Sequence, residues 1–112
     1  MVRKTSVSVR SLLRADVIRE LALPSNLRYG TAIYKRGGVE FISVASAEVA
    51  AWVGGLKGSV AGGGSQRRRT RLFVTTDGLA WHCTGNPRKY QIFCKHCVAL
   101  ALAILKRRTR AR

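Results

Sequence analysis

The sequence predicts an α+β domain: two N-terminal helices, a small antiparallel sheet with a hairpin at Asp77-Gly78, and a buried C-terminal helix. Three observations predict it. Apolar residues recur at helical spacing in the first third of the chain. The middle third breaks into short β-branched and aromatic runs separated by glycine. The last apolar run, Val98 to Leu105, is apolar nearly all round and so belongs inside.

Residues 1–10 are basic, polar and rich in serine and valine, and are expected to form a flexible arm. They lack the apolar core of a secretory signal. A single domain is expected over 11–106, followed by a basic tail over 107–112. Ser11–Ala22 reads as one helix: Leu13, Val17, Ile18 and Leu21 recur at helical spacing, while Arg14, Asp16, Arg19 and Glu20 occupy other faces. Pro24 stops it. Ser25 or Asn26 can cap a second helix that runs to about Arg36 and buries Leu27, Ala32 and Ile33. Gly37-Gly38 ends that helix, because glycine accepts the left-handed backbone of a C-cap.

Val39–Val44 is a strand by its β-branched and aromatic content, and Ala45–Ala47 turns the chain into a second strand, Glu48–Val53. Gly54-Gly55 closes it. Residues 57–64 are glycine-rich, with a short strand expected near Ser59–Ala61, and Gly62 to Arg69 reads as a flexible connection. Arg71–Thr76 and Leu79–Cys83 are paired strands across Asp77-Gly78, a two-residue turn that needs positive φ. A helix then runs from Cys94 or Lys95 to about Lys106. Trp52 and Trp81 are expected in the core.

Lysine and arginine number 21 against 5 aspartates and glutamates, a formal net charge of +16. Such a charge attracts polyanions, of which nucleic acid is the commonest in a cell. No apolar run approaches the ~20 residues of a membrane span, so no membrane partner is expected. The expected compartment is the cytoplasm, with nucleoid association where the partner is DNA. Three cysteines are an odd number, which points away from a disulfide framework and toward metal or free thiol.

All three cysteines and one of the two histidines fall between Cys83 and Cys97, with the spacing C-x10-C-x-H-C. Thiolate and imidazole are the ligands tetrahedral zinc prefers. Cys94 precedes a helix whose N-terminus favours negative charge, and His96 sits in its first turn. Phe93-Cys94-Lys95-His96-Cys97-Val98-Ala99-Leu100 resembles the second half of a SWIM-type zinc finger, whose pattern is C-x-C, a loop, then C-x-H at the start of an apolar helix. Trp81-His82-Cys83-Thr84-Gly85 matches the first half with Gly85 in place of the second cysteine. Tyr29-Gly30, Tyr34, Gly37 and Val39 look like the glycine-aromatic helix end and first strand that precede such motifs, and the similarity runs from Leu12 to Leu105.

The resemblance implies a structural zinc ion held by Cys83, Cys94 and His96, stapling hairpin to helix, and a role in binding DNA or other proteins. SWIM domains often accompany helicase-like proteins, so a helicase-like ATPase is one protein partner it implies. The fourth position stays open among Cys97, His82, and water or an outside group; an absent metal is the remaining alternative. His82 should face away from Cys83 by strand alternation. Cys97 shares a helical face with Leu100, Ala101 and Ile104, where a buried cysteine behaves as a small apolar residue.

Three basic clusters could meet phosphates: Arg67, Arg68, Arg69 and Arg71; Arg88 and Lys89 with Tyr90; and Lys106, Arg107 and Arg108 with Arg110 and Arg112. No helix carries polar reading residues, so phosphate-dominated binding is expected, to DNA before RNA. The alternative is a protein-interaction adaptor. Metal-assisted hydrolysis is not expected, because no acid follows Asp77 and such sites need a general base. Cys94-Lys95-His96-Cys97 also resembles a Cys-x-x-Cys thiol oxidoreductase motif, but the parallel β-α-β surroundings of that fold are not predicted here.

Overall fold

The computed structural model describes residues 7–54, 67–86 and 91–110, with side chains through Arg107. The architecture is α+β: a four-stranded antiparallel sheet with its helices gathered on one side. The short strand expected near Ser59–Ala61 lies outside the described residues, as do Met1–Ser6.

The segment expected to be one helix over Ser11–Ala22 is two: α1, Val9–Leu12, and α2, Ala15–Leu21. Ser8 and Ser11 cap one another, each side chain taking the other's backbone N–H, so the first turn begins ahead of Ser11. Leu13 and Arg14 are extended between the two helices. The break has a packing reason. On a continuous helix Leu13 and Ile18 would point about 140° apart. Both are buried in the same core, together with Val9. Val9 N–H donates to the Ser46 carbonyl at 2.8 Å, anchoring α1 to the turn after the first strand.

Helix α3, Pro24–Lys35, starts at the proline itself rather than after a Ser25 or Asn26 cap. Proline suits the first helical position, where its missing N–H has no partner to lose. The helix ends as expected at Gly37, φ +79°. Gly37 N–H donates to Tyr34 and Gly38 N–H to Ile33, the paired bonds of a Schellman cap.

The strands β1 (Val39–Val44), β2 (Glu48–Val53), β3 (Arg68–Thr75) and β4 (Gly78–Cys83) form a meander in sequence order. A register shift between Phe41 and Ser43 bulges β1. Strand β3 starts at Arg68, ahead of the expected Arg71, because Arg68–Thr70 pair with Ala51–Val53. The hairpin is present, but its two turn residues are Thr76 and Asp77, since Thr75 pairs with Gly78. No non-glycine residue has positive φ among the described residues; Gly78 alone takes it in this turn, at +115°.

Helix α4, Lys95–Arg110, lies against the sheet and against α3. It runs past Lys106, so the basic residues expected in a tail continue the helix to Arg110. Its buried residues Cys97–Ala101 and Ile104 meet Val49, Ala51, Val53 and Leu72 from the sheet. The crossing with α3 is very close. A Cβ on Gly30 would stand 2.5 Å from Val98 Cβ and 2.6 Å from the Lys95 carbonyl oxygen. Glycine at 30 is therefore what lets α4 seat its first turn.

Alternation sends Glu48, Trp52, Arg69, Arg71, Phe73 and His82 to the sheet face away from the helices. Trp52, expected in the core, is 42% exposed there. Trp81 is on the core side, half-buried, with Phe93 packed edge-on at 5.1 Å.

Candidate metal centre

Strand alternation turns Leu79, Trp81 and Cys83 toward the helices, and Cys83 is fully buried at the end of β4. Cys94 immediately precedes α4 and His96 lies in its first turn. The hairpin and the helix start thus bring three prospective ligands together, two thiols and an imidazole. The two sulfurs and a histidine nitrogen all lie within 4.8 Å of one another, close enough to hold a metal ion. His96 Nδ1 is 3.6 Å from Cys83 Sγ and 3.8 Å from Cys94 Sγ.

Groups around the sulfurs fix their positions. The Gly85 N–H donates to Cys83 Sγ at 3.4 Å, and the Thr70 hydroxyl donates to it at 3.5 Å. Gln91 braces the approach to the helix. Its side-chain oxygen accepts the Cys83 N–H at 2.9 Å, and its carbonyl accepts Trp81 Nε1–H at 3.0 Å. Asn86 Nδ2 donates to the Ile92 carbonyl at 3.0 Å, tying the end of the hairpin to the segment before α4. Nothing in the sequence distinguishes Gln91 as such a brace. Thr70 had a weak signal, as a polar residue in a run that alternates toward the core.

The electrostatics of the cluster are asymmetric. Hydrogen bonding to Cys83 and Cys97 holds the Cys94 thiol well below the usual thiol range, against the opposing effect of burial. The same contact with Cys94, and then burial, pushes Cys83 and Cys97 up. The asymmetry favours the thiolate at Cys94 and the thiol at Cys83 and Cys97. A metal ion binding Cys83 would have to displace its proton.

Neither candidate for a fourth protein ligand joins the mutually close group. Cys97 Sγ is 3.8 Å from Cys94 Sγ, but its side chain is wholly buried in the core. His82 faces the other side of the sheet and lines a shallow cavity with Glu48, Arg69, Arg71 and Thr84. The atoms nearest a Cβ at Gly85 would be those of the Arg68 side chain, at 3.4 and 3.5 Å.

The basic clusters are separated by the fold. Arg69 and Arg71 occupy the open sheet face, whereas Arg68 lies along Gly85 on the metal side. Arg67 pairs with Glu40, and Arg71 with Glu48 at 3.3 Å. Lys106 and Arg107 are exposed near the end of α4, with the Arg107 guanidinium 5.2 Å from the Phe41 ring centre. Arg88, Lys89 and Tyr90, and the Arg108 side chain, lie outside what is described.

Fold and site together define a small α+β domain with a Cys-Cys-His group able to take a metal ion between its hairpin and last helix. No family model matches the chain, and neither a curated protein nor a solved structure does. No described helix is long and apolar enough to cross a membrane.

Proposed function

We propose that the chain is a zinc-stapled binding module whose partner is nucleic acid. The convergence of Cys83, Cys94 and His96 is the observation that carries it. A tetrahedral zinc ion with about 2.3 Å to sulfur and about 2.0–2.1 Å to nitrogen sets sulfur-to-nitrogen edges of about 3.6 Å. The separations here, 3.6 and 3.8 Å, suit that ion with little movement. Bound zinc would supply a cross-link between β4 and α4. This is the placement expected from the SWIM-type resemblance at Phe93–Leu100, with the Gly85 position left to water or an outside donor.

The nucleic-acid part of the reading rests on charge. A net +16 on 112 residues favours a polyanion, and phosphate contacts need no reading helix. The role is binding rather than catalysis. Elemental analysis of purified protein should find about one zinc per chain, lost in Cys83→Ala and Cys94→Ala. Gel shifts across a salt series should show affinity for DNA that falls steeply with salt. A pull-down of protein that survives nuclease and high salt, with no shift of any nucleic acid at low salt, would replace this reading with a protein adaptor.

A further inference from the structure

The sheet face opposite the helices is built differently from an ordinary solvated face. Trp52 stands on β2, opposite Glu40 on β1 and Arg69 on β3, and is 42% exposed. A large aromatic placed this way contributes little of its area to the core. Arg69 is exposed and has no ion pair among the described residues, and its backbone N–H donates to the Thr84 hydroxyl oxygen at 3.1 Å. Two residues along the strand, Arg71 pairs with His82 across the ladder. Its guanidinium is held on two sides, 3.3 Å from Glu48 and 4.5 Å from the Phe73 ring centre. Both carboxylates of this face, Glu40 and Glu48, are already neutralised by Arg67 and Arg71. What the face offers a ligand is therefore positive charge beside an exposed aromatic ring. A cavity of about 360 Å³, lined by Glu48, Arg69, Arg71, His82 and Thr84, lies on it.

We infer that this open sheet face binds single-stranded nucleic acid, a base stacking on Trp52 while Arg69 takes the adjoining phosphate. The inference rests on the nucleic-acid reading above and narrows it to one strand and one surface. The chemistry selects the partner. Stacking on an exposed ring needs a base free of its neighbours, which a single strand offers and a duplex does not. Phosphate attraction alone would serve either. The face is also independent of the metal group, which lies behind the sheet on the helical side.

The test measures fluorescence anisotropy of labelled oligo(dT), oligo(U) and a mixed-sequence DNA duplex with the full zinc-loaded chain and four variants. Trp52→Ala should weaken both single strands by about 5- to 150-fold, the range for losing one stacked base, and change duplex binding little. Trp52→Phe should restore most of the loss and Trp52→Leu little of it, since leucine keeps apolar bulk for packing but has no ring face for a base. Arg69→Ala should weaken all three probes and flatten their salt dependence. Oligo(dT) against oligo(U) separates DNA from RNA as the source of the strand. Zinc content and circular dichroism of each variant report that the fold is kept. Wild type that binds the probes, with a folded Trp52→Ala equal to it on single strands, overturns the inference but leaves the nucleic-acid reading standing. Wild type that binds no probe at low salt overturns both.

Discussion

Replacing Gly30 by alanine should loosen the domain and its metal group together. The added methyl would lie 2.5 Å from Val98 Cβ, 2.6 Å from Val98 Cγ1 and 2.6 Å from the Lys95 carbonyl oxygen. None of these is the far end of a flexible side chain, so the helices must separate. Overpacking of this kind costs about 1–3 kcal/mol. Three overlaps, one with backbone, put the cost toward the upper end. Alanine in a helix returns up to about 1 kcal/mol of propensity. The net loss is about 1–2 kcal/mol, a fall of about 5–10 °C in Tm for a domain of this size. Thermal denaturation by circular dichroism, run with zinc and with chelator, measures it. Because Lys95 and Val98 flank His96, the variant should also lose zinc to a competing chelator more readily than wild type. A Gly30→Ala protein as stable as wild type would show that α3 and α4 do not meet as described.

Four further outcomes follow from the same geometry. Thr70→Val keeps the side-chain shape but removes the hydroxyl from Cys83 Sγ, so zinc affinity should fall about tenfold by chelator competition. Gly37→Ala, at φ +79°, should cost about 1 kcal/mol in urea denaturation. Gly85→Ala would meet the Arg68 side chain first, at ordinary contact distance of 3.4 Å, and should be neutral or stabilising by about 0.4–1 kcal/mol. Zinc affinity should rise about tenfold per pH unit between pH ~7 and ~8.5, since Cys94 is already deprotonated there and Cys83 alone must lose a proton. The sign is set by Cys83: its raised pKa keeps the proton through that window, so each unit of pH eases its removal. A slope near two would mean that both thiols carry protons in the metal-free protein.

Much of this fold was legible in the sequence, for identifiable reasons. The strands Val39–Val44 and Glu48–Val53 lie between glycine pairs and turn residues, and both bounds agree with the structure. The C-terminal helix followed from an apolar run too long and too uniform for a strand. The gathering of Cys83, Cys94 and His96 followed from a strand end and a helix start joined by a loop. What was not legible depended on partners distant in the chain. Helical spacing over Ser11–Ala22 marks Leu13 and Ile18 as apolar positions but does not show that burying both in one core requires the break at Leu13-Arg14. Gly30 looks like any helical glycine until Val98 is placed against it. Trp52 illustrates a different error: its hydrophobicity suggested the core, whereas alternation from the polar Glu48 already placed it on the outer face. The hairpin moved by one residue because Gly78, rather than the Asp77-Gly78 pair, supplies the positive φ.

The order of the strands along the chain has a kinetic consequence. All three prospective ligands come from the stretch Cys83 to His96, and that stretch adjoins the tight β3–β4 hairpin. Capturing an ion therefore closes only a short loop, which costs little chain entropy. The contact of Gly30 with Val98 spans most of the chain and must wait for a slower search. A metal ion taken up there would thus be held before α3 docks, as an early nucleation point, and the N-terminal helices would assemble last.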